Sequence, residues 1–173
     1  MLIGLVGQPG AGKTTIAEQI DKWADVSSGV EVIYTSRLLT DAERGQVMGP
    51  EDKIRYAVTE IAHTQIELAK KTIIIDSMPR TLGQLYWLND LAFRVVRPLG
   101  LVFVEPPGGV ILERLIARGR EHEAHWLDRL AAYQKDEQDI FRFRPKRCLT
   151  VTSEDSIANA REVWEWAYGL RDH

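Results

Sequence analysis

Apolar and polar positions recur along the chain with two different periods, and the switches between them lay out the elements. Leu2, Ile3, Gly4, Leu5 and Val6 are an unbroken apolar run, the pattern of a strand covered on both faces. Thr15 to Ala24 then sets Ile16, Ala17, Ile20 and Trp23 at helical spacing. Val30, Val32 and Tyr34, interleaved with Glu31 and Ile33, predict a second strand ending near Thr35 and Ser36. Arg37 to Pro50 is too polar for core and reads as an excursion over the sheet. Glu51 to Lys71 carries Ile54, Ala57, Val58, Ile61, Ala62, Ile66 and Leu68 on one helical stripe, with Pro50 at its start. It delivers the chain into Thr72, Ile73, Ile74, Ile75 and Asp76, a third, fully buried strand.

The same beat continues to the end. Thr81 to Arg97 reads as helix, Leu99 to Glu105 as strand, Pro107 to Arg118 as helix and Glu121 to Phe143 as a long polar helix. Leu149, Thr150 and Val151 make a last strand, and Ser156 to Leu170 a closing amphipathic helix. This alternation predicts one α/β domain over residues 1–173, with a parallel sheet of about five strands and right-handed crossovers. Ligands of such sheets bind beyond the carboxyl ends of the strands, which directs attention to Gly7, Thr35, Asp76 and Glu105.

The first of those ends carries the strongest chemical signal. Gly7-Gln8-Pro9-Gly10-Ala11-Gly12-Lys13-Thr14 meets the phosphate-binding P-loop pattern at every fixed position, between a strand and a helix as that pattern requires. A triphosphate wrapped by backbone N–H groups leaves no room for a Cβ at Gly7, Gly10 or Gly12. Pro9, Ala11 and Thr15 complete the phosphate-binding loop. Lys13 reaches the β and γ phosphates, the Thr14 hydroxyl is placed for Mg2+, and the helix aims its positive end at the anion. Asp76 closes an apolar strand in the manner of a Walker-B carboxylate, which contacts Mg2+ directly or through water. Taken without the P-loop, it would read equally as a turn or cap residue.

Charge and cysteine content narrow the setting. Lys plus Arg number 22 and Asp plus Glu 25, so a net charge of -3 gives no global attraction to nucleic acid or anionic membrane, although a local basic face remains open. Cys148 is the lone cysteine and lies in an apolar run, which predicts a buried thiol in a reducing compartment and a cytoplasmic protein. No signal peptide and no membrane helix are expected, since no apolar stretch approaches about 18 residues.

Beyond these residues a family likeness emerges. Asp76-Ser77-Met78-Pro79-Arg80-Thr81 resembles the Asp-Gly-Phe-Pro-Arg-Thr segment of adenylate kinases and related nucleoside monophosphate kinases, as does the proline-bearing P-loop. Val104-Glu105-Pro106 resembles the strand end that follows, Arg114, Arg118 and Arg120 fall where that family's lid arginines fall, and Arg129-Leu130 with Tyr133 resembles its post-lid helix. The resemblance implies a P-loop NTPase fold with a short lid at about 118–128 and a short acceptor-binding excursion at about 36–70. It implies ATP as phosphoryl donor, Mg2+ as cofactor and a small-molecule nucleotide as acceptor, in a monomer or dimer. Arg80 would hold the acceptor's phosphate, while Arg114, Arg118, Arg120 and Arg129 would surround the donor and the transferring group, a task suited to the guanidinium fork. Thr35, Arg37, Arg44, Val47 and Gln84 would line the acceptor, with the Gln84 amide suited to an adenine edge. A solvated helix face is the alternative for any one of these arginines taken singly, and the weaker one for the four together.

Departures from that pattern fall on the acceptor side. The stretch between Thr35 and Gly45-Gln46-Val47-Met48 is shorter than in typical adenylate kinases, either Arg37 or Arg44 would supply the arm's arginine, and Ser77 and Met78 replace Gly and Phe. Glu121-His122-Glu123 stands where the lid usually has paired aspartates; with His125 it reads as a solvated lid face rather than a metal site. AMP or dAMP leads as acceptor. A small metabolite or a hydroxymethylated base in DNA is the alternative, and a nucleotide-gated binding module of the GTPase kind is disfavoured because the chain lacks an Asn-Lys-x-Asp motif. Arg142, Arg144, Lys146 and Arg147, with Phe141 and Phe143, read as a basic loop beside the donor nucleotide with its aromatics packed inward, in preference to a polynucleotide contact.

Overall fold

The apolar runs become five parallel strands in the computed structural model, which describes residues 1–24, 28–40, 51–67, 72–117 and 126–169. These are β1 (Leu2–Val6), β2 (Val30–Tyr34), β3 (Thr72–Asp76), β4 (Leu99–Val104) and β5 (Cys148–Val151). The described helices are α1 (Lys13–Trp23), α2 (Glu51–Glu67), α3 (Leu82–Arg94), α4 (Gly108–Ala117), α5 (Trp126–Arg142) and α6 (Ser156–Gly169), with a 3-10 turn at Thr35–Leu38. Sheet order is β2-β3-β1-β4-β5. This is the P-loop NTPase arrangement, and the strand count matches the expectation.

Unbroken apolar strands need two covered faces, and the side chains divide accordingly. Ile73 and Ile75 join a core with Val58, Leu85, Leu88 and Ile140 from α2, α3 and α5. Ile74, between them, joins the opposite core with Ile16, Ile20, Ala160 and Val163 from α1 and α6. β1 sits at the centre, paired with β3 (Leu2 opposite Ile73) and with β4 (Leu2 opposite Leu99). The chain leaves β1 toward β2 on one side, whereas the connection from β3 passes to β4 on the other. The strand order therefore reverses beside β1, which puts a crevice at its carboxyl end, where the glycine loop begins.

Helix limits differ from the sequence expectation where local geometry intervenes. Expected to start at Thr81, α3 begins at Leu82 because the Thr81 hydroxyl caps it, accepting from the Gln84 N–H at 3.2 Å. It ends at Arg94 rather than Arg97, because Val96 turns into the left-handed region at φ 52 and the Arg97 N–H closes back on the Ala92 carbonyl at 2.9 Å. The expected helix from Glu121 to Phe143 is described only as α5, and the lid residues 118–125 lie outside the described residues. Among the described residues no helix is long and apolar enough to cross a membrane.

Three expectations are corrected. Phe141 and Phe143 are not buried: they are 45% and 48% exposed, and Phe141 meets the buried Phe103 ring only edge-on, at 5.4 Å. Nor does the basic loop lie beside the P-loop, for it enters β5 from the amino-terminal side of the sheet, whereas the P-loop leaves the carboxyl end of β1. Cys148, expected to be buried, is half-buried; burial raises its thiol pKa, and Sγ lies 2.9 Å from the Pro145 carbonyl.

At Gly4, β1 packs tightly against the loop after β3. A Cβ there would lie 2.4 Å from the Met78 carbonyl oxygen and 3.0 Å from Pro79 Cδ, so backbone must move to admit it. Gly4→Ala is expected to cost about 1–3 kcal/mol through overpacking, read as a lowered midpoint in urea unfolding with an unchanged slope.

Candidate active site

The site begins with a helix whose N-terminus has no side-chain partner. Gly12 caps α1 with no side-chain hydrogen bond, and the first turn holds no acidic residue. Its amide donors thus face the crevice as an anion-binding end. Gly12 at φ 102 and Gly10 at φ 87 adopt the left-handed conformation that glycine tolerates, and the Ala11 N–H bonds to the Gln8 carbonyl at 3.1 Å to close the loop. Lys13 Nζ curls back over it, donating to the carbonyls of Gly7 at 2.5 Å and Gln8 at 2.9 Å. Pro9 and Thr15 are half-buried in the same turn, and Ala11 is buried.

Asp76 faces this loop from the end of β3. It is only 1% exposed, and its carboxylate is met by hydroxyls: Thr14 Oγ1 donates to Oδ2 at 2.9 Å and Ser77 Oγ to Oδ1 at 3.0 Å. No described cationic side chain pairs with it. A buried carboxylate without a cation is costly, and the paired oxygens of Thr14 and Asp76 are the hard donors that Mg2+ prefers. These two residues fit the ion, which would neutralise the carboxylate and polarise phosphate oxygens. Elsewhere among the described residues, no cluster of three or more His, Cys, Asp or Glu is arranged to hold a metal.

The acceptor-side candidates are brought together in part. Four residues after Asp76, Arg80 is exposed, with Nε donating to the Ser77 carbonyl at 2.9 Å, while its own N–H is taken by Gln84 Oε1 at 2.7 Å. Gln84, read from sequence as a base-contacting amide, is buried at 5% exposure and spends its oxygen on shaping the Arg80 turn. Thr35 is 2% exposed and donates to the Asp76 carbonyl at 3.0 Å; its hydroxyl supports Asp76 from behind rather than lining a ligand space. Arg37 is held on the α1 side of β2, stacked 3.6 Å over the Tyr34 ring and 3.8 Å from Glu18. Tyr34 in turn donates to Asp21 at 3.0 Å, and burial, with Asp21, pushes its phenol pKa up.

Arg114 takes a different place from the one expected of a lid arginine. Its guanidinium donates to the carbonyls of Ala11 at 3.0 Å and Gly10 at 3.4 Å and, on the other side, to the Glu154 carbonyl at 2.6 Å. It braces the P-loop by its carbonyls and ties it to the turn after β5, which Asn159 fixes through paired bonds to Ser153 at 3.0 and 2.8 Å. Arg44, Val47, Arg118 and Arg120 lie outside the described residues, as do His122 and His125, and Arg129 is placed only by its position in α5.

Two groups were missed in the sequence. Arg55 on α2 reaches the start of α3, beside the position of a Gly83 Cβ at 3.7 Å and 5.9 Å from the Trp87 ring, paired with Glu51. Its place one turn into a long helix gave no cue. Glu137 on α5 lines a cavity of about 640 Å³, together with Gln8, Val104, Glu105, Ile111 and Leu115. Tyr133 donates to Glu137 at 3.1 Å and lies against the Gly7 backbone; burial first, then Glu137, pushes its phenol pKa up. Burial also raises the Glu137 carboxyl, with Glu105 adding to this and the Tyr133 hydroxyl and Lys13 opposing it. The cavity is of nucleotide size, with an apolar wall and a polar rim beside the phosphate loop.

The raised carboxyl has a consequence for stability. A folded-state pKa above the unfolded one means that the native chain binds the proton more tightly, so stability falls as pH rises through that interval. Glu137→Gln, which keeps an acceptor for Tyr133, is therefore expected to raise the thermal midpoint relative to the native chain more at pH 7 than at pH 4.5. Parallel melting curves at the two pH values check the sign.

Comparison with known proteins bears on the same residues. A family model described as an AAA domain matches residues 6–128. Two adenylate kinases of Prochlorococcus marinus are 27% and 28% identical over 153 and 152 residues, covering 80% of this chain and 81% and 80% of theirs. A UPF0200 protein of Methanocaldococcus jannaschii is 31% identical over 142 residues, 73% of this chain and 67% of its own. Among solved structures, Chaetomium thermophilum Kti12 in complex with ADP-AlF3 superposes with a TM-score of 0.63 over 98% of both chains at 18% identity, a likeness of fold.

Proposed function

The chain belongs to the AAA-domain, adenylate kinase-like P-loop kinase family, and from that premise we propose that it transfers the γ-phosphoryl group of ATP to the phosphate of a nucleoside monophosphate, with AMP or dAMP the leading acceptors. The observation that carries this reading is the hydrogen bond at 2.9 Å between Thr14 of the phosphate loop and Asp76. It links the donor-binding helix to the loop that carries Arg80 only four residues further on, so one short segment serves both ends of a transfer. Phosphoryl transfer asks the protein for positioning and charge stabilisation. In this reading the α1 amides and Lys13 bind the donor phosphates, Thr14 and Asp76 hold Mg2+, and Arg80 grips the acceptor phosphate. The half-buried Cys148, its thiol pKa raised by burial, suits a protein of the reducing cytoplasm.

A coupled ATP-consumption assay across the ribo and deoxy monophosphates, with Mg2+, tests the assignment. Turnover that depends on one of them supports it, and ATP hydrolysis indifferent to every acceptor would point instead to a nucleotide-gated module. Lys13→Ala is expected to lower transfer by about 10²–10³ or more. Arg80→Ala is expected to raise the KM for the acceptor by about ten- to a hundredfold, with the KM for ATP little changed. An acceptor KM that stays put would remove Arg80 from the role. For Arg114→Ala the opposite split is expected: weaker ATP binding with acceptor KM unaltered, since its bonds go to the back of the donor loop.

A further inference from the structure

Between α5 and β5 the chain presents Phe141, Arg142, Phe143, Arg144, Lys146 and Arg147, all of them exposed. Four cations in six residues stand out on a chain of net charge -3, and none of the four pairs with a described carboxylate. The aromatic rings are part of the same surface. Phe143 stands 6.4 Å from Tyr86 of α3, which is itself 55% exposed, and the Arg142 guanidinium lies 5.5 Å from the Phe143 ring. Arg144 stacks 3.7 Å over Phe141 and donates to the Phe141 carbonyl at 2.5 Å, while Phe141 is anchored edge-on against buried Phe103 at 5.4 Å. One ring is thus a fixed foundation and the other two are solvent-exposed.

We propose that this strip is a docking surface for single-stranded nucleic acid, its cations following successive phosphodiesters while the Tyr86 and Phe143 faces receive unstacked bases. The charge pattern favours a polyanion over a free nucleotide, because the cations are strung along the chain rather than gathered round one phosphate. Exposed ring faces favour a single strand over a duplex, whose bases are already stacked on one another. Its cations precede the amino end of β5, whereas the phosphate loop leaves the carboxyl end of β1, so the two lie at opposite ends of the sheet.

Fluorescence anisotropy of a labelled oligodeoxythymidylate with the intact chain tests the proposal. Binding is expected at low salt, weakening as salt rises with a log–log slope of about -0.7 for each phosphate contacted. The double variant Arg142→Glu, Arg144→Glu is expected to weaken it more than about tenfold and to flatten the slope. Phe143→Ala, an exposed position that should leave folding intact, is expected to weaken it about fivefold or more. Transfer to free mononucleotides should be unaltered in both variants. Failure of the oligonucleotide to bind would overturn the proposal. So would equal affinity for duplex DNA or heparin with Phe143→Ala silent, which would mean a polyanion contact without base stacking.

Discussion

A carboxylate buried with no cationic partner among the described residues is the constraint around which the molecule is arranged. Asp76 is all but sealed from solvent, yet its described hydrogen-bond partners are hydroxyls: Thr14 and Ser77 on the carboxylate and Thr35 on the main-chain carbonyl. Neutral donors soften the loss of hydration but do not cancel the charge. Keeping it there takes a rigid strand end, and β3 supplies one by burying three consecutive isoleucines on alternating faces between two helical layers. β2 completes the support, since Tyr34 pairs with Asp76 in register and the next residue, Thr35, turns back to hold its carbonyl.

The phosphate loop faces a complementary difficulty. Its amides must converge on one point, which forces glycine into left-handed backbone at Gly10 and Gly12 and leaves carbonyls directed outward. Those carbonyls are satisfied from behind by Arg114, which comes from α4 and bridges to the turn after β5. The loop is thereby fastened to the β4 and β5 side of the sheet, while the Thr14–Asp76 bond fastens α1 to the β3 side. A central strand with a helix braced on both flanks holds its amide donors in place before any anion arrives, which is the condition for electrostatic preorganisation.

Sequence period was enough for the architecture because strands buried on both faces leave unbroken apolar runs, and the helices between them cover one face each. The convergence of the phosphate loop, Lys13, Thr14 and Asp76 was equally legible, since the motif and the strand end that place them are local in the sequence. Roles that depend on contacts between distant segments were not. Arg114 reads as a lid arginine until its bonds to residues some hundred positions earlier are seen, and Gln84 reads as a base contact until its oxygen is found on Arg80. Glu137 and Arg55 offered no cue, for a charged residue on a polar helix looks the same whether it faces water or a cleft. Phe141 and Phe143 misled for a related reason: the expectation that aromatics go inward holds where a core has room, and here Phe103 and Ile140 already fill it.

The resting arrangement of Lys13 joins these threads. With its ammonium on the carbonyls of Gly7 and Gln8, it neutralises the loop's own dipoles and lies within electrostatic reach of Glu137, whose neighbours are Tyr133 and Glu105. The positive charge is thus met by carbonyls and a carboxylate on the α5 side, while the carboxylate of Asp76 on the β3 side has no cationic partner among the described residues. An incoming polyphosphate brings negative charge toward the first and a bound divalent ion brings positive charge toward the second. Neither alone corrects both imbalances, since a naked polyphosphate would meet Glu105, Glu137 and Asp76 as like charges, and an ion alone would leave the α1 amides unpaired. The charge layout is therefore complementary to the two arriving as one neutralised unit, a property that follows from where three carboxylates, Glu105, Glu137 and Asp76, sit relative to one lysine.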